Sequence, residues 1–507
     1  MNSSLRHVVI VLLGCFVLLF AQLNRIQVFQ AGALRANPAN NRLSQQDFDR
    51  PRAEIVTSDG VTVALSEAAG AGSPFDLQRA YPEGDLYAHT VGYISFTVGS
   101  DGVERSYNDE ITGRTAAQEL RDLTDLLNPT PEAGTINLTL DHELQQVAKE
   151  ALGERQGSVV ALDANTGAIR ALWSWPSFDP NLVADNDSTA ANAAYQDLLE
   201  TDGNPLRPRS YRDREFPGST FKIITAAAAI ESGEVTLTEP VFEERESYEP
   251  PLTSRAITNF GGRSCGGDLV DLLVFSCNVQ FSQLAAEVLG PEVMINQAQA
   301  AGFNSEPPLD LPGAVESVFP TDYGELIQPA SESFPAGLFG NTPFLAQAAI
   351  GQHEVQATPL QMALLIAGVA NDGEIPTPHV VSEVLDAEGQ AITTNSPGGW
   401  RQALRPESAS DIASALVEAA TRGGASTAAM EGFEIGGKTG TAQIDTEAET
   451  ARSHAWIVAF GGRPGEEPEL AVAVLVEAQE GSDQTGGAVA GPIARAVFSE
   501  YFTDRSG

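Results

Sequence analysis

The stretch PGSTFKIITAAAAIESG, residues 217–233, decides how the chain is read. Its proline and glycine make a turn, the alanine-rich run that follows is a strong helix former, and Gly233 supplies a C-terminal cap. Ser219 and Lys222 stand three apart at the start of that helix, so hydroxyl and amine share one face within reach of each other. The positive end of the helix dipole favours alkoxide character on Ser219 and disfavours a charged amine on Lys222. A serine is a poor nucleophile until a base takes its proton, and a neutral Lys222 is such a base. Taken alone, the pair reads equally well as an N-cap beside a solvated lysine.

Composition adds weight to the amine. Only Lys149, Lys222 and Lys438 occur among 29 basic residues, so arginine does nearly all the surface work. A lysine kept in such a chain points to a need for an amine that can lose its proton, which guanidinium cannot do. Two further segments carry chemistry. In DLVDLLVFSCNVQFSQLAAEVLG (268–290), Ser276-Cys277-Asn278 interrupts two helical stretches and sets a hydroxyl and a carboxamide at a helix junction in apolar surroundings, as a cap or as part of a site. In EIGGKTGTAQ (434–443), Lys438, Thr439, Gly440 and Thr441 follow two glycines. An edge strand there pairs with a peptide substrate, Gly440 lets a ligand backbone lie close, and the lysine and threonines hold a carboxylate; the rival reading is a surface hairpin.

Working outward, GSVVALDANTGAIRALWSWPSFDPN (157–181) reads as two apolar strands about the turn Asn165-Thr166-Gly167. HAWIVAFGG (454–462) and ELAVAVLVEAQ (469–479) are strands, and GPIARAVFSEYF (491–502) is a closing helix. With mostly helical segments between them, this order predicts an α+β domain over 141–507, an antiparallel sheet built from both ends and flanked by helices. Residues 28–140 read as a small turn-rich spacer with a hairpin at Asp59-Gly60. Residues 1–27 read as a short cytoplasmic tail and a membrane anchor, because Val8 to Ala21 carries no charge. A signal peptide is the alternative, against which no small-x-small cleavage site follows Ala21. The predicted location is the cell membrane, single-pass, with the rest of the chain outside. A net charge of -39 excludes a nucleic-acid partner held by phosphate neutralisation. No metal motif or cofactor fingerprint is present; Gln352-His353-Glu354 starts like a zinc helix but Ala357 stands where a second histidine belongs.

In that order PGSTFK, SCN and KTGT resemble the three signature elements of penicillin-binding proteins and active-site serine β-lactamases. The resemblance extends over GSVVALDANTG, SFDPN, TPLQMALLIAGVANDG (358–373) and HAWIVAF. With the short spacer and the RIQVF that ends the anchor (25–29), it is similar to class B penicillin-binding proteins of the actinobacterial A type. The resemblance implies a peptidoglycan D,D-transpeptidase that binds stem peptides ending in D-Ala-D-Ala and is acylated by β-lactams. Ser219 is then the nucleophile, Lys222 its base, Ser276 a proton relay, Asn278 an orienting group, and Lys438 with Thr439 and Thr441 the carboxylate site. The backbone amides of Ser219 and Thr441 form the oxyanion hole. It further implies the cytoplasmic membrane and cell-wall synthesis or division proteins as partners. Two departures stand out: Cys265 and Cys277, which form a disulfide or leave a free buried thiol, and His353, where relatives often carry glycine.

Rival readings are a non-catalytic penicillin sensor or division scaffold, a D,D-carboxypeptidase or β-lactamase, and a hydrolase with Ser264 in a GRSCG elbow. The elbow needs a buried strand before it, and RAITNFGG is polar.

Overall fold

The computed structural model describes residues 3–25, 48–113, 134–445, 452–478 and 484–503. Helix α1 (Ser3–Asn24) carries exposed Leu12, Phe16, Leu19 and Phe20. Among the described residues no helix is long and apolar enough to cross a membrane. Of RIQVF, all but Arg25 lies outside the described residues.

The spacer hairpin forms where its turn signal lies, β1 (Glu54–Val56) against β2 (Thr62–Ala68), with Gly60 in the left-handed region at φ 91°. Strand β3 (Leu77–Ala80) follows β2, and β4 (Thr135–Leu138) lies parallel to β1. Next come α2 (His142–Leu152), N-capped by the Asp141 side chain, and the hairpin of β5 (Gly157–Asp163) with β6 (Ile169–Trp175). Much later in the chain, β7 (Val381–Leu385) and β8 (Ala391–Thr394) return to the first sheet, whose six strands run β8-β7-β4-β1-β2-β3. That sheet therefore draws on both sides of residue 140, a pairing across some 245 residues anchored by the Ser382 hydroxyl on the Asn137 carbonyl.

The second sheet joins β9 (Glu434–Asp445), β10 (Arg452–Gly462) and β11 (Leu470–Val476) to the early hairpin in the order β9-β10-β11-β5-β6, all antiparallel. This is the sheet built from both ends that the strand pattern predicts. Every residue of β11, LAVAVLV, is buried. A continuous apolar run, with no alternation, fits a strand covered on both faces. Helices α2 and α3 (Gly491–Thr503) pack against one another on one side, and the Pro359–Ala370 helix, apolar but for Gln361, contacts β5, β10 and β11. Among the described residues the sheet ends at β9, which pairs only with β10. Its outer edge carries no partner strand from the described residues.

Cys265 and Cys277 form a disulfide with Cα atoms 5.6 Å apart, and Cys15 is free. The bond closes a short loop and stabilises the fold by up to about 3 kcal/mol in the chain-entropy model. Alkylation of the denatured, unreduced chain should modify Cys15 alone, and all three cysteines after reduction; intact mass reads the difference, and three adducts before reduction would refute the bond.

Candidate active site

Ser219 sits on a tight 3₁₀ turn, Gly218–Phe221, and Lys222 is the first residue of the α-helix Lys222–Ser232. The sequence predicts an α-helical start; the tighter turn has three residues per turn, so side chains three apart eclipse one another. Neighbouring segments hold this turn from several directions. The Gly218 amide donates to the Gly351 carbonyl at 3.0 Å, and the Trp456 indole on β10 donates to the Phe216 carbonyl at 2.9 Å. Phe221 is buried, its ring stacked on Phe319 and edge-on to Phe303. Gly440 fits the assembly for a reason other than ligand approach. A Cβ there would meet the Pro217 carbonyl oxygen at 2.7 Å, so the missing side chain is what lets the nucleophile turn lie against β9.

Behind Ser219 four side chains meet. The Lys222 Nζ lies 2.6 Å from Asn278 Oδ1, 2.7 Å from the Ser276 carbonyl oxygen and 3.1 Å from Ser276 Oγ. Lys438 Nζ donates to the same Ser276 Oγ at 2.9 Å and to the Thr439 carbonyl at 3.1 Å. One hydroxyl thus joins both amines. Ser276 ends the helix Leu269–Phe275 in the left-handed region at φ 58°, an unfavourable conformation for a serine that aims its hydroxyl and carbonyl at one amine. The next helix, Asn278–Gln283, is capped from outside: buried Asn259 accepts from the Asn278 and Val279 amides through Oδ1. The Asn278 Nδ2 donates to the Thr258 carbonyl at 2.9 Å, which leaves its Oδ1 for Lys222. The Ser219 hydroxyl, which the sequence places within reach of Lys222, has no hydrogen bond to a described residue and lines the cleft.

Both amines are buried, and neither has a carboxylate partner among the described residues. Burial is the largest influence on Lys222 and holds its pKa well below the lysine range; the positive charge of Lys438 and then of Arg263 depress it further. Lys438 is lowered to about 7, again by burial first and Arg263 second. The like charge that the sequence suggests as the depressant of Lys222 is real but secondary.

The cleft of about 540 Å³ is bounded by Ser219, Ser276 and Asn278 on one side and by Thr439, Thr441 and Gln443 of β9 on the other. The sequence reading had no signal for Asn259 or Arg263, which lie on the arm that the disulfide fastens to Cys277. Ser264 is exposed in that arm, outside any strand. Lys149 pairs with Asp85 at 2.6 Å, away from the cleft. His353 has φ 65°, the conformation that favours glycine, and its ring stacks on Phe344 at 4.3 Å between centroids.

A serine turn backed by two buried amines, one on the edge strand of a mixed helix and sheet domain, is the layout of the penicillin-recognising serine enzymes. Residues 157–499 match the family model of the penicillin binding protein transpeptidase domain, and residues 52–136 that of the penicillin binding protein A dimerisation domain. The chain belongs to the penicillin-binding protein transpeptidase family. It is 35% identical over 519 aligned residues to the peptidoglycan D,D-transpeptidase PbpA of Mycolicibacterium smegmatis, covering 100% of each chain. To that of Mycobacterium tuberculosis it is 34% identical, covering 98% of each. Among solved structures, penicillin-binding protein A from M. tuberculosis as a ceftriaxone acyl-enzyme complex matches with a TM-score of 0.80 and 31% identity, over 90% of this chain and 100% of that one.

Gly440→Ala should displace the Ser219 turn and slow acylation by a fluorescent penicillin by roughly a hundredfold, the scale of a 1 Å misplacement. The variant should remain folded by circular dichroism, and an unchanged rate would contradict the packing role of this glycine.

Proposed function

We propose that the chain is a peptidoglycan D,D-transpeptidase that cross-links stem peptides through an acyl-enzyme on Ser219. The observation that carries this is the contact of Ser276 Oγ with both the Lys222 and Lys438 amines, a route for protons beside the nucleophile. Lys222 Nζ, whose burial disfavours the charged form, takes the proton of Ser219 Oγ as that oxygen attacks the penultimate D-alanine carbonyl. The C–N bond breaks, and the terminal D-alanine leaves after its nitrogen receives a proton through Ser276. An amine of a second stem peptide then attacks the ester, Ser219 departs with a proton returned by Lys222, and the cross-link remains. Lys438, Thr439 and Thr441 hold the terminal carboxylate, and the Ser219 and Thr441 amides polarise the reacting carbonyl. Asn278 fixes the rotamer of Lys222 by accepting one of its hydrogens at 2.6 Å. A β-lactam presents the same carbonyl and carboxylate and stays attached as an ester.

Residues 1–27 act as a membrane anchor in this reading, supported by the uncharged run Val8 to Ala21 and the exposed leucines and phenylalanines of α1. The catalytic unit, 141–507, then works outside the membrane on a pedestal formed by 28–140. Cell-wall synthesis or division proteins are its expected neighbours.

A fluorescent penicillin should label the native chain covalently, and Ser219→Ala should abolish the label; persistent labelling of that variant would rule out this nucleophile. Lys222→Ala should slow acylation by about 10² to 10⁴, the range for a lost general base.

The second-order acylation constant should also be bell-shaped in pH. It climbs as Lys222 loses its proton and becomes a base, and it declines above about 7 as Lys438 loses the charge that binds carboxylate. The two limbs belong to the coupled pair. Replacing Lys438 by arginine, which does not titrate in this range, should remove the descending limb. A descending limb that survives in Lys438→Arg would show that another group sets it.

A further inference from the structure

We propose that Arg263 forms a second anion subsite in the cleft, reading a side-chain carboxylate on the residue that precedes D-alanyl-D-alanine in the donor stem peptide. The inference rests on the transpeptidase reading above and narrows its substrate to an acidic peptide. The chain has 68 acidic residues, yet none of the described residues that line the cleft is acidic, and Arg263 is the charged side chain among that lining, apart from the buried amines behind Ser219. A cleft of one sign with low-dielectric walls focuses its field on a ligand of the other sign. In so acidic a protein, a wall whose described residues include a guanidinium and no carboxylate is a local reversal of charge.

Arg263 is held in place by contacts that leave donors free. Its carbonyl accepts from the Asn259 side chain at 3.1 Å, and Asn259 also caps the helix that carries Asn278. One of its Nη2 hydrogens goes to the Phe275 carbonyl at 3.1 Å, directly before Ser276. The rest of the guanidinium fork has no carboxylate partner among the described residues and is exposed. Beside it, Phe260 and Phe275 are 54% and 41% exposed on the same wall, a large apolar surface for residues that an ordinary core would cover. Arg422 lies over the Phe275 ring at 5.5 Å, so what this wall offers a ligand is the exposed Phe260 ring and the Arg263 fork, which suit a long side chain with an acidic tip. The terminal carboxylate of the donor already has its place at Lys438 and the β9 threonines, so Arg263 serves a different group. Its guanidinium also depresses both lysines from a distance, so its removal has a general effect on acylation and a selective one.

The test separates those two effects by a ratio. Purified full-length chain is given two peptide donors ending in D-alanyl-D-alanine, identical but for glutamate or glutamine at the preceding residue, and released D-alanine is measured as kcat/KM. The native chain should prefer the glutamate donor by roughly tenfold, within the range for a hydrogen bond between charged groups. Arg263→Ala should bring the ratio to about one, and Arg263→Lys should restore part of it, whereas altered lysine titration alone would move both donors equally. Penicillin labelling of each variant checks that the site is intact. A ratio near one in the native chain, or an unchanged preference in Arg263→Ala, overturns the subsite while leaving the transpeptidase reading in place. Absence of penicillin labelling of the native chain overturns both.

Discussion

The structure depends on taking the Lys222 amine out of water without giving it a carboxylate. Desolvation alone shifts an amine by several pKa units, because the charged form loses its hydration and the neutral form does not. A carboxylate at hydrogen-bond distance would restore the charge and end its use as a base. The fold answers with neutral acceptors, a carboxamide, a hydroxyl and a backbone carbonyl, set by a left-handed serine and a capped helix. This arrangement costs stability. A lysine lowered to about 7 in the folded chain binds fewer protons there than when unfolded, so the cost from Lys438 grows as pH falls from ~10.4 towards 7 and is level below it. Stability contributed by the surrounding sheet and helices offsets it.

Convergence is the second demand. Ser219 rides on the turn that leads into a helix whose residues Lys222 to Ile230 are all buried, Ser276 on a junction fastened by the disulfide, and Lys438 on an edge strand contributed from the far end of the chain. The turn and the strand touch without an intervening side chain because position 440 has none. The spacer takes part as well: Arg212, just upstream of the nucleophile turn, makes a bidentate pair with Asp101 at 2.9 and 2.7 Å. Its two hydrogen bonds tie the serine segment to the start of the short Gly102–Ser106 helix of the spacer with a defined orientation.

Where sequence reasoning and structure part, the cause is distance along the chain. Gly440 reads as a gap for a ligand because glycine beside a lysine suggests close backbone approach, and the body that approaches is residue 217. The depression of Lys222 reads as a like-charge effect because the second lysine is visible in the sequence and burial is not. The arm that holds Asn259 and Arg263 carries none of the three signature elements, only the GRSCG match around Ser264, and it matters through what it touches. His353 looked anomalous until its φ was known; the backbone there is glycine-like and the ring is held by Phe344.

The sequence by itself determined the local facts: a helix start with hydroxyl and amine on one face, a polar helix junction, a strand with lysine and threonines, and the apolar runs of a sheet covered on both sides. These follow from the 3.6- and 2-residue periods and from turn residues, which act within a few positions. Tertiary structure alone decided that the 381–394 hairpin joins the spacer strands, that Ser276 Oγ bridges the two amines, and that an arginine lines a cleft with no acid among its described residues. Each of those depends on which segments pack together, and packing energy belongs to pairs of surfaces that no short window of residues contains.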